Sequence, residues 1–199
     1  MAIIPDEEFK KIKEIKGEAI GASLKEDLQF ILKKEGPEGL KKVEEELKKL
    51  GYSLKLAEIK NFQWYPFFYN FLIFVAAKYI FNWNDDDFRE NGRFSAKISV
   101  ILRIMLKYFI SPKRSFDNIG AYWRKYYTVG EVKTEEFDEE GRTAVIVFLG
   151  FVGHPVFCRI LEGYVTQIFS YILPTENLNI EETECPFKGG KVHKIKLKW

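Results

Sequence analysis

Cysteine, histidine and methionine are scarce: the chain of 199 residues has two of each. Two cysteines, Cys158 and Cys185, are too few for a disulfide framework, so a reducing, cytoplasmic setting is expected. There is no CxxC pair, which removes the common zinc fingers. GxGxxG, the Walker loop and HExxH are also missing, and with them the usual signs of dinucleotide, nucleotide and zinc-protease chemistry. Neither sign of charge dominates. With 31 basic and 29 acidic residues the net charge is +2, which gives no ground for a nucleic-acid surface. The aromatic and basic run AYWRKYY, Ala121 to Tyr127, is read as a helix with one aromatic core face rather than a base-stacking platform. The start, MAIIPDEEFKK, has no basic-then-apolar order and is not read as a signal peptide.

Phenylalanine is plentiful, at 18 residues, and is concentrated in Phe62–Trp83, FQWYPFFYNFLIFVAAKYIFNW. Lys78 is its one charge, and half of its residues are aromatic. Such a run hides in lipid, in a core, around a ligand or against a partner. Its length approaches the roughly 20 residues of a membrane span. Gln63, Asn70 and Lys78 argue against lipid, and a span would put the flanking helices and strands on opposite sides. A central helix from about Pro66 to Phe81 is expected, with Pro66 in its first turn.

Hydrophobic periodicity divides the rest. Residues 1–16 form an arm or short helix. Ala19–Lys34 and residues 38–50 are amphipathic helices separated by Gly36-Pro37, with their charge runs read as solvated faces. A short acidic turn from Asn84 to Gly92 precedes a helix Ala96–Ile110, with Ser95 as N-cap and Phe109 near its end. Another helix runs from Ser115 to Tyr127. From residue 131 the pattern changes: two strands around DEEG, a helix from Pro155 to about Leu173, and a closing hairpin over 177–199. The whole is expected to be one α+β domain. Its arm is 1–16, its helical half 17–130, and that half packs on a four-stranded antiparallel sheet of β-β-α-β-β order over 131–199. Abundant Lys and Glu match a habit of proteins from hot environments.

Both histidines and both cysteines lie between 154 and 193. His154 and Cys158 are one helical turn apart. With a three-residue turn Lys188-Gly189-Gly190, Cys185 would face His193 across the final hairpin, and His193 shares parity with Ile195, Leu197 and Trp199. Thiolate and imidazole together are zinc chemistry, so Cys185, His193, His154 and Cys158 form the candidate metal set. The plainer reading is two buried cysteines, a helix-capping histidine and a half-buried strand histidine. The acidic residues at 85–87, 135–136 and 181–184 fall at boundaries or strand surfaces. No acidic pair is expected on an apolar cleft, so acid–base catalysis has little support and the chain is read as a non-enzyme.

The segment ETECPFKGGKVH, Glu182 to His193, follows E-x-x-C-x-x-x-G-x-x-x-H. It resembles the closing hairpin of 4-vinyl-reductase-type domains, with His193 where a second cysteine commonly stands. HPVFCRILEGY, His154 to Tyr164, is similar to the preceding helix of those domains, with its Cys and later Gly163. The layout also resembles the wider group that includes heme nitric-oxide-binding domains and TRAPP small subunits, and Lys16–Gly36 is loosely like the group's opening helix. The resemblance implies a small-molecule-binding sensor or scaffold for an apolar ligand. Heme is not expected: Tyr-x-Ser-x-Arg is absent, and His154 beside a proline is a poor match for a mid-helix axial ligand.

The expected ligand wall is Phe67, Phe71, Phe74, Trp123, Tyr126, Phe151 and Phe157, between sheet and aromatic helices. A homodimer seam on the 66–81 helix is the companion expectation. The alternatives are an interaction module without a ligand and a Cys/His metal-binding protein.

Overall fold

Gly36 divides the first half of the chain. In the computed structural model, which describes residues 2–106, 111–150, 153–173, 175 and 177–199, the long helix α2 (Gly21–Lys49) is interrupted at Gly36. There φ is 73° and ψ is −178°, values open to glycine and costly for other residues. Helix α1 (Asp6–Lys13) precedes it, and α1 is part of the body: Ile12 is fully buried. Between them lies β1 (Glu18–Ile20), paired antiparallel with β2 (Trp64–Pro66). Pro66 therefore ends a strand instead of opening a helix. On the edge of a two-stranded ribbon its missing N–H costs no ladder bond. Residues 126–128 lie along the other side of β1, with Ile20 N donating to Tyr126 O at 2.8 Å and Thr128 N to Glu18 O at 3.0 Å.

Helix α3 (Phe68–Phe81) is the aromatic run, and Phe71 through Ala77 are all buried. Burial on every side supplies about 1.5–3 kcal/mol for each large side chain. Asn82 in the left-handed region stops the helix, and Asn84 caps α4 (Asp85–Ile98) with a reciprocal Asp87 box. Among the described residues no helix is long and apolar enough to cross a membrane.

Helix α4 runs straight through Asn91-Gly92, where a boundary was expected. Ser95 is buried within it rather than capping a new helix. The cause is packing. A Cβ on Gly92 would meet Ile160 O at 2.0 Å, and one on Gly163 would meet Arg89 O at 2.0 Å, so these glycines let two helix backbones touch. The partner is α8 (Pro155–Ile172). The break falls instead at Ser99, whose Oγ accepts from Leu102 N at 3.1 Å to start α5 (Val100–Leu106). Phe109 lies outside the described residues. The Ser115–Tyr127 helix is two short ones, α6 (Pro112–Asp117) and α7 (Ile119–Trp123).

The second half matches the expected order. Strands β3 (Glu131–Asp138), β4 (Thr143–Leu149), β5 (Asn179–Glu184) and β6 (His193–Lys198) form one antiparallel sheet in the order β3-β4-β6-β5. On β6, His193, Ile195 and Leu197 face the core while Lys196 and Lys198 are exposed.

Candidate functional site

Two places in this fold gather chemistry. The first is a chamber of about 80 Å³ between α2, α8 and the sheet. It is walled by Phe74, Trp123, Tyr126 and Phe157 from the expected set, together with Ile146 and Phe148 of β4. Phe67 and Phe71 are not on its wall. Their rings stand behind it, 5.8 and 5.5 Å from Phe157, as solid core. Phe151 lies outside the described residues.

The chamber is not purely apolar. Helix α2 turns Ser23, Glu26 and Asp27 into it, with Glu26 6% and Asp27 4% exposed. These acids were read as part of a solvated face. On the part of α2 before Gly36 the exposed side is in fact narrow, at Gln29, Lys33 and Lys34 with Lys25 partly exposed, and the acids lie off it. An acidic pair does therefore stand on an apolar cleft. Asn70 Nδ2 donates to Asp27 Oδ2 at 2.8 Å and to Ser23 Oγ at 3.0 Å, and Ser23 Oγ is 3.3 Å from the Tyr127 hydroxyl. Tyr122 and Tyr164 share a 2.5 Å hydroxyl contact, and Tyr126 bonds Ser99. The Oγ of Ser95, on the chamber wall, is buried with no partner. Burial, then the neighbouring Asp27 charge, pushes the Glu26 carboxyl well above its usual range, against a hydrogen bond to Ser99. Burial does the same to Asp27, against its bonds to asparagine. No Lys, Arg or His pairs with either acid among the described residues.

The second place is a cluster of Cys158, Glu182, Cys185 and His193, whose ligand atoms all lie within 4.8 Å of one another. Helix α8 supplies Cys158, β5 supplies Glu182, the turn after β5 supplies Cys185 and β6 supplies His193. Cys158 Sγ is 3.6 Å from Cys185 Sγ and 3.7 Å from His193 Nδ1, and His193 Nδ1 is 3.6 Å from Glu182 Oε1. Both thiols are free, since a disulfide needs about 2.05 Å. The β5–β6 register ends at the Glu184–Lys194 pair. In place of the expected three-residue turn, residues 185–192 make the connection, with a 3-10 turn at Pro186–Lys188, and it still brings Cys185 to His193. Glu182 Oε2 is held by Arg159 at 2.7 Å and Lys188 at 3.0 Å, leaving Oε1 toward His193. Burial works to raise the Glu182 carboxyl, but the His193 bond, Lys188 and Arg159 outweigh it and hold it at about 2. Burial, then Glu182 and Cys185, pushes the Cys158 thiol far up.

His154 is not in this cluster. Its Nδ1 accepts from Val156 N as the cap of α8, and its Nε2 meets Glu8 Oε1 at 2.9 Å. A helix start followed by proline fixes it there. Glu182 takes the fourth place. Its spacing of three before Cys185 was the available signal.

No family model and no curated protein matches the chain. Solved structures do match in fold. An H-NOX protein from S. oneidensis in the Fe(II)NO state superposes with a TM-score of 0.68 at 12% identity, covering 90% of this chain and 98% of that one. A protein studied for modulation of heme redox potential through porphyrin distortion gives 0.62 at 13%, covering 90% and 99%. One used to probe heme distortion in the H-NOX family gives 0.63 at 15%, covering 90% and 94%. The α+β arrangement is thus that of H-NOX domains. The expectation against heme is overturned: this is a fold in which heme is plausible, whatever the missing signature and the place of His154.

Proposed function

We propose that this chain is a small-molecule-binding sensor domain of H-NOX-like fold whose ligand enters the tyrosine-lined chamber. The observation that carries the reading is the chamber itself. Space, an unpartnered Ser95 Oγ and two unpaired acids lie together inside a core that is otherwise filled. Buried polar groups without partners are costly, and a bound polar group would satisfy them.

Heme is one occupant to test, because the neighbouring folds are heme proteins. The aromatic walls suit a flat ring. The phenols that the described wall offers to an iron are those of Tyr122, Tyr126, Tyr127 and Tyr164, a ligand type known for heme. The wall has no imidazole or thiolate among the described residues, and the chamber is below the roughly 300–1,000 Å³ of small-molecule sites. A tetrapyrrole therefore needs the walls to part. Organic extraction with mass spectrometry, followed by hemin titration watched by absorbance, tests the reading. A stoichiometric small molecule or a saturable Soret shift supports it. No extract and no binding of hemin or of butanol, which is small enough for the chamber, overturns it.

A second reading concerns the thiol cluster. Zinc with bonds of about 2.3 Å to sulfur sets tetrahedral sulfurs about 3.8 Å apart, and Cys158 and Cys185 stand at 3.6 Å. Cys158, Cys185, His193 and Glu182 Oε1 would hold the ion and clamp α8 to the last hairpin. Arg159 and Lys188 would orient the carboxylate. For the homodimer seam expected on the 66–81 helix, Phe71–Ala77 are buried within one chain, which leaves exposed Tyr79 and the partly buried Phe68, Tyr69, Ile80 and Phe81 as the surface a partner would cover.

A further inference from the structure

The polar side of the chamber has a chemical sign. Glu26 and Asp27 are adjacent in sequence, both at least nine-tenths buried, and both line the space. The titratable groups that face them are phenols. Helix α7 and the residues after it bring the phenols of Tyr122, Tyr126 and Tyr127, and α8 brings that of Tyr164. The sheet and α3 bring apolar side chains, and no Lys, Arg or His lines the chamber among the described residues.

Ser95 adds an independent sign of a missing partner. It is 4% exposed, lies on the wall from α4, and its Oγ meets no donor or acceptor. On the α2 side, Asn70 spends its amide hydrogens on Ser23 and Asp27. The arrangement is a set of acceptors and hydroxyls with no cation to neutralise the acids. Rings stand around them: Tyr127 packs 4.4 Å from Trp123 and 6.3 Å from Phe157, centroid to centroid. Aromatic faces and carboxylates together form a cage for an organic cation.

Resting on the proposed ligand-binding chamber, we infer that its ligand class is a small apolar amine, the ammonium group held by Glu26 and Asp27 and its carbon atoms by the surrounding rings. A volume of about 80 Å³ takes an ammonium head with a few carbon atoms. Roughly 150 Å³ accommodates benzene in an engineered cavity. Without a cation, burial holds both acids toward the neutral form, and the Asp27 charge adds to this for Glu26. An anionic ligand would bring a further buried negative charge to a wall with no Lys, Arg or His among the described residues to pair it. Entry of the ammonium ion makes the charged carboxylate the favoured form, so binding releases a proton to solvent.

The test uses the full chain with butylamine, butanol and butyrate at pH 8, with toluene as a neutral apolar probe, read by titration calorimetry and saturation-transfer NMR. Butylamine is expected to bind at least ten-fold tighter than butanol, and butyrate more weakly than both. Glu26→Gln and Asp27→Asn are each expected to cut the amine preference below about three-fold while butanol moves less than two-fold. Should either variant fail to fold, the wild type still decides. Calorimetry in two buffers of different ionisation enthalpy must show proton release with butylamine and none with butanol. Butanol or toluene binding with no amine preference overturns the amine inference and leaves the chamber reading standing. No binding by any of the four overturns both.

Discussion

The sulfurs of Cys158 and Cys185 stand 3.6 Å apart, one on a helix and one in the turn after a strand, 27 residues later. The distance is too long for a disulfide and close to the edge of a zinc tetrahedron. Purified protein is therefore predicted to carry about one equivalent of zinc by plasma emission. Cys158→Ser or His193→Ala should lose it, and chelation should lower the melting temperature. Less than a tenth of an equivalent, with no change in melting on added zinc, would reject the clamp.

A pH prediction follows from Glu26 and Asp27. Both carboxyls are held well above their usual range by burial. Such a group contributes stability in full below its unfolded value, and the contribution is lost as pH rises through the folded value. Glu182, held at about 2, runs the other way, losing its contribution only as pH falls from the ordinary carboxylate range toward 2. Burial also lowers His154, so its contribution is lost as pH falls from near 6.5 through the lower folded value. The difference between wild type and Glu26→Gln isolates the acid. In urea titrations the variant should gain on the wild type as pH goes from 5 to 8, by about 1–4 kcal/mol at pH 8. A difference that is flat across that range would refute burial of the charge.

The α4–α8 contact predicts a third result. An alanine at Gly92 or Gly163 puts a Cβ 2.0 Å from a backbone carbonyl of the other helix. Gly163→Ala should cost about 1–3 kcal/mol by forcing the helices apart. Gly189→Ala is strained by a φ of 89° but meets nothing within 4 Å, and so serves as a comparison. Denaturant midpoints measure both. Equal, negligible shifts would contradict the close crossing.

Phe157 gives a fourth. It joins the chamber wall to the rings of Phe67 and Phe71 behind it. Phe157→Ala should cost about 3–5 kcal/mol and enlarge the chamber. Partial recovery of melting temperature on adding toluene is expected, as a ligand that binds only the folded state stabilises it. A loss unaffected by any apolar additive would count against a cavity that accepts ligands.

Much of the fold was legible because its signals are local. Gly36-Pro37 marks the break in α2, DEEG turns β3 into β4, and Pro155 opens α8 behind a capping His154. What misled was non-local. Gly92 looked like a terminator because its reason for being glycine lies on α8, 68 residues away at Ile160. Pro66 looked like a helix start because the strand it ends pairs with Glu18. The thiol cluster was three-quarters visible, since Cys185 and His193 flank the last hairpin and Cys158 shares their stretch of chain, although the connection is longer than the three-residue turn expected. The chamber acids were hidden because Glu and Asp on a helix are normally solvated. The clue was that Gln29, Lys33 and Lys34, with Lys25 partly exposed, already account for the wet face before Gly36.

The central claim is that the chamber holds a small molecule, and the most direct measurement is native mass spectrometry of gently purified wild type beside an Ile160→Trp variant that fills the space. Wild type should show, beyond polypeptide and metal, one additional mass released by organic solvent, or should acquire one on incubation with toluene, butylamine or hemin. The filled variant should show neither. A wild type that carries and accepts nothing, or a variant that binds as well as wild type, would contradict the account.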